Sequence, residues 1–251
     1  MGTKLVPIHG VLPLLILLSS VSSTVMAQLT GLPQYGVILT GTPDDPVVLN
    51  QSPHRILVYA LRLQKGDQDR YPATRVRDFL GELTTLQIAP NGPGIAPGAT
   101  SLSVPQMTAT QTRNAAGQRT DMGYTQATLD AVLFDNGQFV GPDVSRTFES
   151  TTARINGELS VHSLLLSAKT VAEVAAAWAK IKEIAETPAA PSTPASGVPG
   201  AGRPGFGDPS FWPRQSARVL LNVRDRMGEV AAFALAASTQ AYPKIQREPK
   251  Q

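Results

Sequence analysis

Leu129-Asp130-Ala131-Val132-Leu133-Phe134-Asp135-Asn136-Gly137-Gln138-Phe139-Val140-Gly141-Pro142-Asp143 divides this 251-residue chain into two kinds of text. Residues of β type flank Asn136-Gly137, a dipeptide that tolerates the positive φ angles of a type I′ turn, so the stretch reads as a β-hairpin. Gly141-Pro142-Asp143 then stops the sheet and starts a helix. Asp130 falls inside the first strand, where a carboxylate needs water or a partner. Its expected role is a structural hydrogen bond or ion pair at the base of the hairpin.

Upstream, short apolar runs alternate with turn residues. Val37-Ile38-Leu39 and Val47-Val48-Leu49 are separated by Thr40-Gly41-Thr42-Pro43-Asp44-Asp45-Pro46, a loop by composition. Ile56 to Leu63 is apolar on both faces until Arg62, which predicts a central strand. Thr74 to Phe79, Leu83 to Ile88, Ser101 to Thr108 and Tyr124 to Phe134 complete a series with turn signals between them. Seven or eight short strands at roughly 8–12-residue spacing predict an antiparallel, Ig-like β-sandwich over 28–142. The Cys…Trp…Cys pattern of antibody domains is absent, because the chain has no cysteine.

Downstream of Asp143 the period changes to that of a helix. Phe148, Thr152, Ile155, Leu159, His162 and Leu166 fall on one predicted helical face. Thr170-Val171-Ala172-Glu173 matches a capping box. Val171, Val174, Ala175, Trp178, Ile181 and Ala185 follow it as a second stripe, and Pro188 ends that helix. The span 143–187 therefore reads as two helices. Residues 188–209, dense in proline and glycine, read as a flexible linker. A C-terminal helix over 210–242 carries Val219, Leu220, Val223, Met227, Val230 and Ala234 inward, and 243–251 reads as a disordered tail. The fold class is α+β: a sandwich followed by about three helices.

The first 27 residues read as an export leader. Lys4 supplies the positive charge, Val11 to Leu18 the short apolar run, and Val25-Met26-Ala27 the cleavage point. The run is shorter than the ~20 residues that span a bilayer, so no stable membrane span is expected after removal. The chain is then expected to be periplasmic or extracellular, starting at Gln28, with no disulfide to hold it. Scattered arginines form no dense basic face, which argues against nucleic acid as a partner.

Candidate sites are few. His54 lies in a turn and His162 on an apolar helical face, where packing is the expected role; no Gly-x-Ser-x-Gly elbow accompanies them. Asp67 and Asp69, in a Gly-led turn, offer oxygens to calcium, although they supply only part of the Asp-x-Asp-x-Asp-Gly pattern. Gly200-Ala201-Gly202-Arg203-Pro204-Gly205 fits a dinucleotide fingerprint literally but lacks the preceding strand. Asn50-Gln51-Ser52 resembles a glycosylation sequon, disfavoured by Pro53. Phe206, Phe211 and Trp212 are an aromatic cluster that either docks the last helix or anchors a partner.

The stretch Leu129 to Gly137, with Gly141-Pro142-Asp143, resembles a group of uncharacterised exported bacterial proteins that pass from a sheet into helices. The resemblance spans Val47 to Leu166 and implies a sandwich architecture with the joint at Asp130, Asn136, Gly137, Gly141, Pro142 and Asp143. It implies no activity. The function expected from the sequence is a non-catalytic envelope protein, structural or protein-binding, with no cofactor and an envelope protein as its partner. The alternatives are a hydrolase using Asp67, Asp69 or Asp130, and a calcium- or glycan-binding module.

Overall fold

A computed structural model describes residues 28–65, 72–82, 94–101, 112–113, 119–120, 123–188 and 208–248. At 81–82, 112–113 and 119–120 only the backbone is described. The leader at 1–27, Asp67, Asp69, Phe206, the strand expected at 83–88, the strand expected at 102–108, the 200–205 glycine motif and most of the linker lie outside the described residues. In chain order the strands are β1 (Gln28–Thr30), β2 (Val37–Gly41), β3 (Pro46–Asn50), β4 (Ile56–Gln64) and β5 (Ala73–Asp78). Short α1 (Phe79–Glu82) follows, then β6 (Thr112–Arg113), β7 (Arg119–Thr120), β8 (Gln126–Phe134) and β9 (Gln138–Val140). Helices α2 (Thr147–Leu166), α3 (Val171–Glu186), α4 (Phe211–Met227) and α5 (Glu229–Ser238) precede a last strand, β10 (Gln246–Arg247).

The main sheet has the order β10-β9-β8-β4-β5, with β1 pairing to the other stretch of the β8 edge. β4 is central, as its two apolar faces predict, and nearly every residue of it is buried. The pairing is not wholly antiparallel: β1 runs parallel to β8, and β10 parallel to β9. One face of the sheet packs Tyr59, Leu61, Leu63, Leu129 and Phe134 against Val37, Leu39 and Val48 of the β2–β3 hairpin. On the other face Val58, Ala60, Ala131, Leu133 and Phe139 meet Leu80 of α1 and Ile155 of α2. That second face is thus roofed by a helix.

The β8–β9 turn is not of type I′. The Gly137 N–H donates to the Phe134 carbonyl at 3.0 Å, and Gly137 has φ 85° while Asn136 stays outside the positive-φ set. This is a type I turn followed by a left-handed glycine, the three-residue form of hairpin loop. Asn136 serves it by accepting the Gln138 N–H on its side-chain oxygen at 2.9 Å.

Among the described residues four helices, not about three, follow β9. Gly228, at φ 90° and ψ 168°, interrupts the expected 210–242 helix and separates α4 from α5. Met227 before that break and Val230 after it are exposed, and Ala232, Leu235 and Ala236 of α5 are buried instead. The inward face of α2 is also rotated from expectation: Leu159 is exposed, whereas Thr151, Arg154, Glu158, Val161 and Leu165 are buried beside Ile155 and His162. A count of apolar residues misses this face because two of its members are charged. The capping box of α3 forms as read, with Thr170 Oγ1 accepting the Glu173 N–H at 3.2 Å and Glu173 accepting the Thr170 N–H at 3.0 Å. Val171, however, is exposed.

The bundle core joins Val161 and Leu165 of α2 to Trp178 and Ile181 of α3, Leu220 of α4 and Leu235 of α5. α2 therefore serves two cores: its first half roofs the sheet through Ile155, and its second half enters the bundle. The tail expected to be disordered instead returns to the sheet, where Gln246 and Arg247 stand beside Gln138 and Phe139.

Candidate functional site

A groove of about 340 Å³ opens where β5 runs beside α2. Thr74, Val76 and Asp78 alternate along β5, so they share one face and form its floor. The first half of α2 supplies Thr147, Ser150, Thr151 and Arg154, which recur at helical spacing, and Trp212 of α4 completes the lining. Trp212 comes this close because residue 157 is glycine. A Cβ added there would lie 2.7 Å from the Trp212 Cβ and 3.0 Å from the Pro213 ring.

The start of α4 is fixed by its own contacts. Asp208 accepts the Ser210 N–H at 2.9 Å and pairs with buried Arg214 at 2.7 Å. Arg214 and Arg218 in turn donate to the carbonyls of Thr187 and Ala185, at 3.3 and 3.1 Å, at the C-terminal end of α3. Cations at a helix C-terminus satisfy its unpaired carbonyls. Phe211 packs edge-on against Trp212, with ring centres 5.0 Å apart.

Arg154 is the charged centre of the groove wall. Its Nε lies 2.7 Å from Asp78 Oδ2, its Nη2 donates to Asp78 Oδ1 at 2.9 Å, and its Nη1 donates to Glu158 Oε1 at 2.7 Å. Burial works against the guanidinium charge, but the carboxylates of Asp78 and Glu158 outweigh it and raise the Arg154 pKa above its ordinary range. Burial likewise raises Glu158, with Arg154 offsetting part of the effect. Tyr242 stands beside this pair, its phenol raised by burial and then by the charge of Glu158. Arg154, Asp78, Glu158 and Tyr242 are thus committed to one another.

The joint residues are brought together, for structural ends. Asp130 is buried, and its two carboxylate oxygens accept the N–H groups of Val144 and Ser145 at 3.0 and 2.8 Å. Its carbonyl accepts the Asp143 N–H at 2.8 Å. Gly141 lies against that carbonyl so closely that a Cβ would fall 2.5 Å from it, while Pro142 is exposed beside it. Asp143 and Arg146 both take left-handed backbone, φ 52° and 56°, to turn the chain into α2. Arg146 occupies the N-cap without capping through its side chain. Asp143 does so from further back, accepting the Thr147 N–H at 2.6 Å, and its other oxygen meets Arg247 at 2.8 Å. Burial raises the Asp143 carboxyl, with the Phe148 and Thr147 amides opposing.

His54 and His162, the two described histidines, sit in opposite settings. His54 pairs with Asp135 at 3.5 Å on the surface, beside a hollow of about 320 Å³ that includes Tyr35 and Gln138. His162 is buried between two hydroxyls, Nδ1 at 3.1 Å from Thr239 Oγ1 and Nε2 at 3.0 Å from Ser216 Oγ. Thr239 donates to the Ala236 carbonyl at 2.8 Å, so it accepts from His162 Nδ1–H and leaves Nε2 to accept from Ser216. Burial drops His162 to about 4. The order serine, histidine, hydroxyl imitates a triad, yet all three members are sealed inside the bundle.

Asn50 of the apparent sequon is fully buried. Its amide donates to the carbonyls of His54 and Ile95 at 2.8 and 2.9 Å, and its oxygen accepts from Ser52 Oγ at 2.7 Å. Among the described residues no three His, Asp or Glu side chains converge as a metal site, and no helix is long and apolar enough to cross a membrane. Sequence reasoning missed the groove. Half of its lining is common hydroxyl residues, its members spread over about 140 positions, and of them the sequence marks only Trp212 as a candidate. Comparison with family models, curated proteins and solved structures returns no match for this chain.

Proposed function

We propose that this chain is an exported, non-catalytic binding module, and that the groove between β5 and α2 is its ligand site. The ligand class the groove fits is a short carbohydrate. The observation that carries the reading is Trp212 beside Thr74 and Ser150 and the Asp78–Arg154 pair. An indole offers a face to the C–H side of a sugar ring, while hydroxyls and a fixed ion pair meet its alcohols. Export is supported by the leader-like residues 1–27, and an Ig-like scaffold by the β2–β3 hairpin facing the main sheet. Hydrolysis through Asp130 is disfavoured because both of its carboxylate oxygens are held by backbone amides.

Isothermal titration with neutral and N-acetylated oligosaccharides tests the site. Saturable heat is expected from at least one, lost in Trp212→Ala and weakened in Ser150→Ala, with far-UV circular dichroism unchanged. No heat from any sugar, or equal heat from Trp212→Ala, refutes the carbohydrate reading. Mass spectrometry of the exported chain tests the leader: an N-terminus at Gln28 is expected, and retention of residues 1–27 would count against it.

A further inference from the structure

The segment Tyr242 to Glu248 lies across the joint as a peptide lies in a receptor. Gln246 N–H donates to the Gly137 carbonyl at 2.8 Å and Glu248 N–H to the Phe139 carbonyl at 3.1 Å, which makes β10 a parallel addition to the β9 edge. Arg247 reaches the buried carboxylate of Asp143 at 2.8 Å and stacks over the Phe148 ring at 5.2 Å from its centre. Tyr242 and Ile245 pack on the apolar face that α2 roofs. The receiving surface is shaped for this: Gly137 has no Cβ where the Lys244 carbonyl passes, and an added one would lie 2.2 Å from that oxygen.

None of these contacts depends on the covalent link through Ala241. Thr239–Ala241 is a short 3-10 turn, and Pro243 keeps the chain from continuing as helix. The ladder between β10 and β9 is only two residues long, so releasing it opens a small unit rather than the fold. A second copy carries the same Tyr, Ile and Arg at the same spacing, and two copies trading segments would close a symmetric pair. We propose that the β9 edge and Asp143 form a strand-accepting site, and that its occupant in trans is segment 242–248 of a second copy of this chain.

The test exploits the absence of cysteine. Gln138 and Gln246 face each other in register. An isotopically light Gln138→Cys copy and a heavy Gln246→Cys copy are mixed at high concentration, warmed, and oxidised mildly. Mass spectrometry then counts the disulfides. The 138–246 mixed disulfide is expected several-fold above the share given by random pairing, and to fall toward that share when Arg247→Gln is added to the tail-bearing copy. The doubly substituted single copy should close its own disulfide, which verifies that the tail lies on β9. An internal disulfide there, with mixed pairing no better than random between single-cysteine copies, overturns the exchange. So does mixed pairing that ignores Arg247→Gln.

Discussion

Replacing His162 by Gln should remove a defined pH dependence from the helical half. In the folded chain burial holds His162 at about 4, whereas an unfolded histidine titrates near 6.5. Between those values the unfolded state binds more protons, so stability falls as the pH falls. Each unit of the gap corresponds to about 1.4 kcal/mol. Relative to pH 8, the wild-type chain should lose about 2 kcal/mol at pH 5 and about 3 kcal/mol at pH 4 through this residue alone. That is a large share of the ~5–15 kcal/mol that stabilises a typical domain. Gln keeps an amide that donates to Thr239 and accepts from Ser216, so at pH 8 His162→Gln should fold. The assay is urea unfolding from pH 4 to 8, read by tryptophan fluorescence, since both tryptophans, Trp178 and Trp212, lie in the helices. Carboxylates such as Asp143 and Glu158, raised in the folded state, lose stability in the opposite direction as pH rises, but they are common to both proteins and cancel in the difference. Equal slopes for wild type and His162→Gln between pH 5 and 7 would refute the reasoning.

Three further outcomes follow from the packing. Gly157→Ala should destabilise the chain by about 1 kcal/mol, because overpacking against Trp212 and Pro213 exceeds the ~1 kcal/mol of helix propensity gained; a raised melting temperature would show that α4 can shift aside. Arg154→Met should cost about 3 kcal/mol, chiefly by leaving buried Glu158 without its cation, with half-buried Asp78 contributing less, as read from thermal melting. Asp130→Ala should cost about 1–3 kcal/mol and speed hydrogen exchange at the Val144 and Ser145 amides, which lose their acceptor; unchanged exchange there would separate Asp130 from the turn.

The sequence made legible what depends on local pattern. β4 announced itself by two apolar faces, the capping box at Thr170 by its spacing, and the change of period after Asp143 by the switch to steps of three and four. What escaped was non-local or charged. Arg154 and Glu158 look like solvent residues on a helical wheel, and it is their pairing with each other and with the distant Asp78 and Tyr242 that makes their burial tolerable. β10 is too short to carry a pattern, and its partner lies a hundred residues away. Gly228 was visible, yet a glycine within an apolar stripe does not by itself say that the helix ends. Phe211 and Trp212 read as part of an aromatic cluster, but the seat of Trp212 on Gly157 exists only once two distant segments are placed together.

The division of α2 between two cores has a mechanical meaning. At 20 residues and ~1.5 Å per residue it is a rod of about 30 Å, clamped at one end by pleated strands and at the other by its fellow helices. Loosening either clamp frees the rod for the other, so the two halves are expected to melt in concert. Gly157, on which Trp212 sits, lies near the middle of that rod, so a change of packing there is expected to be felt by sheet and bundle alike.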